Sequence, residues 1–255
     1  LSIRRQRQMC IRDSYQTFSS SISGVFTPRI HKIVNSGTSI ENQRTELTEL
    51  FTKVGRIQFL MLALIASGVV FFGKFFIVRI WAGRGYEDSY IVALLLIIPA
   101  SIALIQNLGI EIQRAEFKHQ FRSIVYVGMA CINLIMSIIL CKKYGAIGSA
   151  IGTAFSLVVA NGCVMNIYYH KKCNLNIIYF WKSIGKLAMG MIIPIIFGGI
   201  MKGFLKTDSI VAYLLEILIY VLVYAGSMWK IGMNNYEKNL FQSVLGKFIK
   251  KKDKR

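Results

Sequence analysis

Tyr90–Arg122 reads YIVALLLIIPASIALIQNLGIEIQRAEFKHQFR, and this stretch decides the class of fold. Its first twenty or so residues carry no charge. At 1.5 Å per helical residue they cover the roughly 30 Å of a bilayer's hydrocarbon core. Pro99 sits mid-span, where it removes a helix hydrogen bond and predicts a kink. Polar residues then gather: Gln106 and Asn107 near the end of the span, followed by Glu111, Gln113 and Arg114. Asn107, Glu111 and Arg114 are spaced i, i+4, i+7 and so share one helix face. The exit is basic, with Arg114, Lys118, His119 and Arg122. A helix of this kind needs a membrane around it and something polar to face.

The rest of the chain has the composition such a helix requires. Of 255 residues, 54% are hydrophobic and 17% charged, and the mean hydropathy is +0.50. Soluble domains carry roughly 25% charged residues, and apolar runs of this length recur along the chain, so a soluble core is excluded. The net charge of +19 would suggest nucleic acid in a soluble protein. Here the basic residues lie between and beyond the apolar runs, with no aromatic-basic module among them. They are topology signals and contacts to anionic headgroups, and no nucleic-acid partner is expected.

Chemistry-bearing motifs are sparse. Cys10, Cys131, Cys141, Cys163 and Cys173 form no CxxC pair, so neither a disulfide framework nor a metal site is indicated. His31, His119 and His170 fall outside the spans without metal-ligand spacing. No P-loop, nucleophile elbow or pair of intramembrane carboxylates occurs. No enzymatic activity and no cofactor are expected, and an exporter driven by ATP would need its ATPase as a partner.

The chain divides by composition. Residues 1–14 read LSIRRQRQMCIRDS, in which MCIRDS closely matches the translation of a transposon mosaic-end sequence used in sequencing libraries, so this segment is expected to be non-native and the chain a fragment. Tyr15–Pro28 is too short to span and suits the end of a truncated transmembrane helix. Residues 29–57 suggest an amphipathic linker helix capped by Ser39, with Leu47, Leu50, Phe51, Val54 and Ile57 on one face, lying at the membrane surface. Six full spans are expected in residues 58–229: Gln58–Phe76, Tyr90–Gln113, Ser123–Leu140, Gly145–Tyr169, Ile184–Met201 and Ile210–Met228. A basic tail, residues 230–255, follows. Of the lysines and arginines beyond residue 14, 20 fall on one side of the spans and 7 on the other. The positive-inside rule makes the first side, with the C-terminus, cytoplasmic.

Several strings add a resemblance. Ser19–Pro28 (SSSISGVFTP), Leu50–Gln58 (LFTKVGRIQ), Phe72–Gly83 (FGKFFIVRIWAG), Ile98–Gly109 (IPASIALIQNLG), Lys118–Ser123 (KHQFRS) and Tyr144–Gly152 (YGAIGSAIG) together resemble the second half of bacterial oligosaccharide flippases. These are the polysaccharide-biosynthesis transporters of the multidrug/oligosaccharidyl-lipid/polysaccharide exporter superfamily. The resemblance runs from Tyr15 to Trp181 and more loosely beyond. It implies an all-α polytopic membrane bundle, the C-terminal lobe of a two-lobed exporter, in a bacterial plasma membrane. It further implies a lipid-linked oligosaccharide as substrate, moved by alternating access, and polymerase and glycosyltransferase neighbours. Glu111 departs from the family pattern, where a small or neutral residue follows NLGI. The rivals are a cation-coupled multidrug exporter of the same superfamily and a membrane enzyme of polysaccharide assembly.

Two candidate sites follow. The face of Asn107, Glu111 and Arg114, with Gln106 beside it, could draw the negative charge of a lipid-linked pyrophosphate. It equally suits an interfacial Glu111–Arg114 salt bridge with the arginine reaching for headgroups. Glu216, a third of the way into the last span, is a costly carboxylate in that setting and a candidate for ion coupling; a packing hydrogen bond is the alternative. Lys74, Lys186 and Lys202 sit at span ends as snorkelling cations, and Arg79 with Trp81 reads as an interfacial anchor. Asn133, Asn161 and Asn166 read as interhelical hydrogen bonders. The ladders Gly145/Ser149/Thr153 and Gly148/Gly152 read as helix packing.

Overall fold

The computed structural model describes residues 16–17, 19–81, 83, 85, 87–204 and 209–252. The expectations for residues 1–14, with Cys10, and for the last residues of the basic tail lie outside the described residues. The fold is an all-α membrane helical bundle. It divides into two compact units, residues 1–182 and 183–255.

In the first unit, residues 19–25 are helical and a turn at Phe26 leads into α1, Thr27–Val34, with Pro28 in its first turn, where a missing N–H costs nothing. Helix α2, Ile40–Phe75, runs 36 residues without interruption from the linker into the membrane span. Its apolar face is covered by protein: Leu47, Leu50, Phe51, Val54 and Ile57 are all buried. The Phe51 ring lies 4.6 Å from that of Phe180 and 5.9 Å from that of Tyr169. Periodicity reveals an apolar stripe but not what covers it, and here the cover is the protein's own aromatic side chains.

Helix α3, Glu87–Leu104, continues through Pro99. The chain breaks instead at residues 105–107 and resumes as α4, Leu108–Ala115, bent by 41°. Helix α5, Gln120–Leu157, passes through a π-helical turn, Val158–Val164, into α6, Met165–Lys171. As a straight rod, the 52 residues Gln120–Lys171 would be about 78 Å long, more than twice a bilayer's hydrocarbon core. They fold back at Gly145, whose φ of 58° and ψ of −136° are accessible to glycine. The two limbs run antiparallel: Arg122 bonds Tyr169, Tyr126 bonds Asn161, and Asn133 bonds Thr153. Gly148 sits against the backbone of Leu140, and a Cβ at Gly152 would stand 2.9 Å from the Ser137 hydroxyl. The expected spans Ser123–Leu140 and Gly145–Tyr169 are these two limbs, held close by the small residues.

Among the described residues four helices are thus long and apolar enough to cross a membrane, or five with the bent α3–α4 pair as one span. The fold at Gly145 makes two limbs of one of them.

Helix α7, Ile177–Ala188, starts before the expected boundary at Ile184 because Ile177, Phe180, Ile184 and Leu187 form a continuous buried stripe. In the second unit a 3₁₀ turn, Met189–Met191, leads to α8, Ile192–Phe204; α9, Ile210–Ser227, follows, then a π-helical turn, Met228–Gly232, and α10, Asn235–Lys252. Pro194 has no N–H for the carbonyl of Gly190, and the Ser227 hydroxyl donates to that oxygen at 2.7 Å instead. Gly190 lies so near Gly232 that a Cβ on it would approach the Gly232 Cα to 3.3 Å.

Candidate functional site

The break between α3 and α4 interrupts regular helix inside an apolar span. Residues 105–107 turn on tightened bonds: Gln106 N donates to Ala103 O at 3.2 Å and Asn107 N to Leu104 O at 3.2 Å. The Ser19 hydroxyl donates to Leu104 O at 2.9 Å, and the Gln58 amide donates to Ser19 O at 3.0 Å and to Ser23 Oγ at 2.8 Å. Gly55 of α2 lets the broken strand of backbone come close, since a Cβ there would stand 2.9 Å from Ile105 O and 2.5 Å from the Phe180 ring. Irregular backbone at membrane depth persists where protein or a water-filled cavity covers it. Here serine and glutamine side chains do so.

The four candidates on this stretch take different positions. Glu111 accepts a hydrogen bond from Arg114 Nη1 at 2.9 Å and from the Thr27 hydroxyl at 3.3 Å. Its side chain is 18% exposed and that of Arg114 63%. Asn107 donates to Ser20 Oγ at 3.3 Å. The face Asn107–Glu111–Arg114 therefore packs on the helical segment ahead of α2, and the interfacial ion pair anticipated as the bland alternative is formed. Gln106 belongs to a different, buried face. Its amide oxygen and nitrogen have no partner, and neither do those of fully buried Gln113. Buried amides are ordinarily bonded to protein or ordered water, so these two side chains are where the polar groups of this stretch are left unsatisfied by protein.

Glu216 lies in the second unit, half-buried on α9. It shares a face with Tyr213, Tyr220 and Tyr224, all buried.

The residue that sequence reasoning passed over is Arg122, taken only as a topology charge. Its Nη1 donates to the buried Tyr169 hydroxyl at 2.8 Å and its Nη2 to that of Tyr126, whose hydroxyl donates to Asn161 Oδ1 at 2.8 Å. The guanidinium also lies 4.8 Å from the centre of the Tyr126 ring. The spacing of Arg122 and Tyr126 at i, i+4 was the available signal; their partners lie across the hairpin. Asn161 and Asn133 are interhelical bonders, whereas Asn166 donates within its own turn, to Gly162 O at 2.7 Å.

Beyond the spans, Lys118 closes a second cluster. It pairs with Glu116 at 2.8 Å and donates to Lys172 O at 2.7 Å. Burial works to lower the Lys118 pKa, but the hydrogen bond and charge of Glu116 outweigh it and hold the ammonium above its ordinary value. Burial pushes the Cys173 thiol up to about 12, and Glu116 adds to the rise. Among the described residues no group of His, Cys, Asp or Glu is arranged to hold a metal ion.

Compared with protein-family models, with curated proteins and with solved structures, the chain matches none.

Proposed function

We propose that the protein is part of a flippase in a bacterial plasma membrane. It would carry lipid-linked oligosaccharide repeat units from the cytoplasmic to the outer leaflet for surface polysaccharide synthesis, as the C-terminal lobe of an alternating-access exporter. The observation that carries the reading is the set of six strings from Ser19 to Gly152 that together resemble such transporters. The broken α3–α4 span fits it, because transporters form their sites at discontinuous helices where polar side chains replace helical bonds. Unpartnered Gln106 and Gln113 beside that break offer amides of the kind that bond sugar hydroxyls. The excess of basic residues on one side of the spans supports a cytoplasmic C-terminus by the positive-inside rule.

Deleting the gene tests this. Surface polysaccharide should be lost from the deletion strain; normal surface polysaccharide would remove the flippase from consideration. Glycosyltransferase and polymerase genes alongside are the expected neighbours.

Glu216 favours one second reading, a cation-coupled multidrug exporter, since a half-buried membrane carboxylate can carry a coupling proton. Under that reading Glu216→Gln abolishes drug resistance conferred by the protein. Under the flippase reading the deletion strain keeps its drug tolerance.

A further inference from the structure

Arg122 differs from its basic neighbours Arg114 and Lys118. Arg114 is paired with Glu111 and Lys118 with Glu116. Arg122 is half-buried, yet both of its hydrogen bonds go to neutral phenol hydroxyls, and among the described residues no carboxylate lies within ion-pair distance of it. A half-buried guanidinium without a counter-charge is costly to keep in a membrane protein. The cost persists because the side chain is held in place. Tyr169 is 1% exposed and Asn161 3%; from the second limb of the hairpin Tyr169 holds the guanidinium directly, and Asn161 holds it through Tyr126 of the first limb. A snorkelling arginine would be free to reach water; this one is tied to the helices.

Two of the five guanidinium N–H groups are used by the tyrosines, which leaves three in a rigid fork. That fork matches the paired oxygens of a phosphate group better than any point charge does. Arg122 also stands in the first turn of α5, where the free backbone N–H groups add partial positive charge. Its tyrosine companions are the residue type that settles at the headgroup level of a bilayer.

We infer that Arg122, held by Tyr126 and Tyr169, is the docking point for a phosphate-bearing lipid headgroup at this end of the helical hairpin. Two lipids carry that chemistry: the diphosphate of a lipid-linked substrate, an assignment that rests on the flippase reading, and an anionic membrane phospholipid, which does not.

The test uses the full chain in phosphatidylcholine nanodiscs, with binding read by native mass spectrometry. The probes are a polyprenyl diphosphate, phosphatidylglycerol and inorganic pyrophosphate. Wild type should retain the polyprenyl diphosphate, and Arg122→Gln should bind it about tenfold to a hundredfold more weakly, the loss expected for hydrogen bonds to a charged group. Lys53→Gln, whose ammonium is already paired with Glu49 outside the candidate sites, should bind as wild type does. A loss confined to the diphosphate supports the inference and assigns the site to substrate. An equal loss for phosphatidylglycerol also supports it, but assigns the site to membrane lipid and removes this contact from the flippase reading. Equal binding by wild type and Arg122→Gln overturns it, as does inorganic pyrophosphate binding as tightly as either lipid. If Arg122→Gln fails to accumulate, Arg122→Lys serves, since it keeps the charge and loses the fork. A several-fold loss is then expected, and parity with wild type overturns the inference.

Discussion

Replacing Gly55 by alanine tests how the broken span is held. The new Cβ would stand 2.9 Å from the Ile105 carbonyl oxygen and 2.5 Å from Phe180 Cε2. Neither neighbour can yield cheaply: one is backbone at the break, and the other is a ring with no exposed surface, 4.6 Å from the Phe51 ring. Overpacking of this kind costs about 1–3 kcal/mol. In a chain of this size that is a fall of about 2–12 °C in Tm. The matched control is Gly68→Ala on the same helix, where nothing lies within 4 Å of the added Cβ. Gly68→Ala should raise stability by up to about 1 kcal/mol through helix propensity alone. Thermal unfolding of both variants in detergent, followed by circular dichroism, gives the comparison. Opposite signs are expected. If Gly55→Ala is as stable as Gly68→Ala, the close approach of α2 to the break is wrong.

Three other outcomes are expected. Ser227→Ala should cost about 1–2 kcal/mol by leaving Gly190 O without its hydroxyl donor; in a Pro194→Ala background, where a backbone N–H is restored, the same change should be nearly neutral, and additivity in that cycle would refute the account of the bond. Arg114→Ala removes an ion pair that is largely exposed on the arginine side, so it should cost under about 1 kcal/mol. If that face also meets substrate, export falls in both Arg114→Ala and Glu111→Ala at unchanged membrane level; unchanged export in both leaves the face a salt bridge only. Cys173 is 1% exposed with its thiol pushed up to about 12, so it should resist alkylation by iodoacetamide at pH 7.5 in the folded protein and react on unfolding. Because that pKa is raised from an ordinary 9.0, the stability it contributes is full below about pH 9 and is lost as pH climbs toward 12, which an alkaline unfolding series measures.

The membrane helical bundle was legible because an apolar run of twenty residues has one physical use, and the fold between Ser123–Leu140 and Gly145–Tyr169 was legible because Lys142, Lys143 and Gly145 interrupt such a run. The Glu111–Arg114 pair was legible at i, i+3. The position of the break was not. Pro99 looked like the weak point, yet α3 tolerates it, and the bend falls where Ser19 supplies a donor to Leu104 O and Gly55 admits the turn. Those partners lie far along the chain and leave no local pattern. The same holds for Arg122, whose meaning depends on Tyr169 and Asn161 across the hairpin. The stripe Leu47–Ile57 was visible as a stripe, but a membrane surface and a wall of Phe180 and Tyr169 select the same spacing.

The central claim is movement of a lipid-linked oligosaccharide between leaflets, and leaflet-resolved labelling measures it directly. Spheroplasts of wild-type and deletion strains, also lacking the polymerase, are exposed to a membrane-impermeant lectin or glycosidase that acts on the repeat unit. The flippase account predicts lipid-linked repeat units open to the reagent in the wild type and shielded from it in the deletion strain until the membrane is permeabilised. Equal access in both strains before permeabilisation would contradict it.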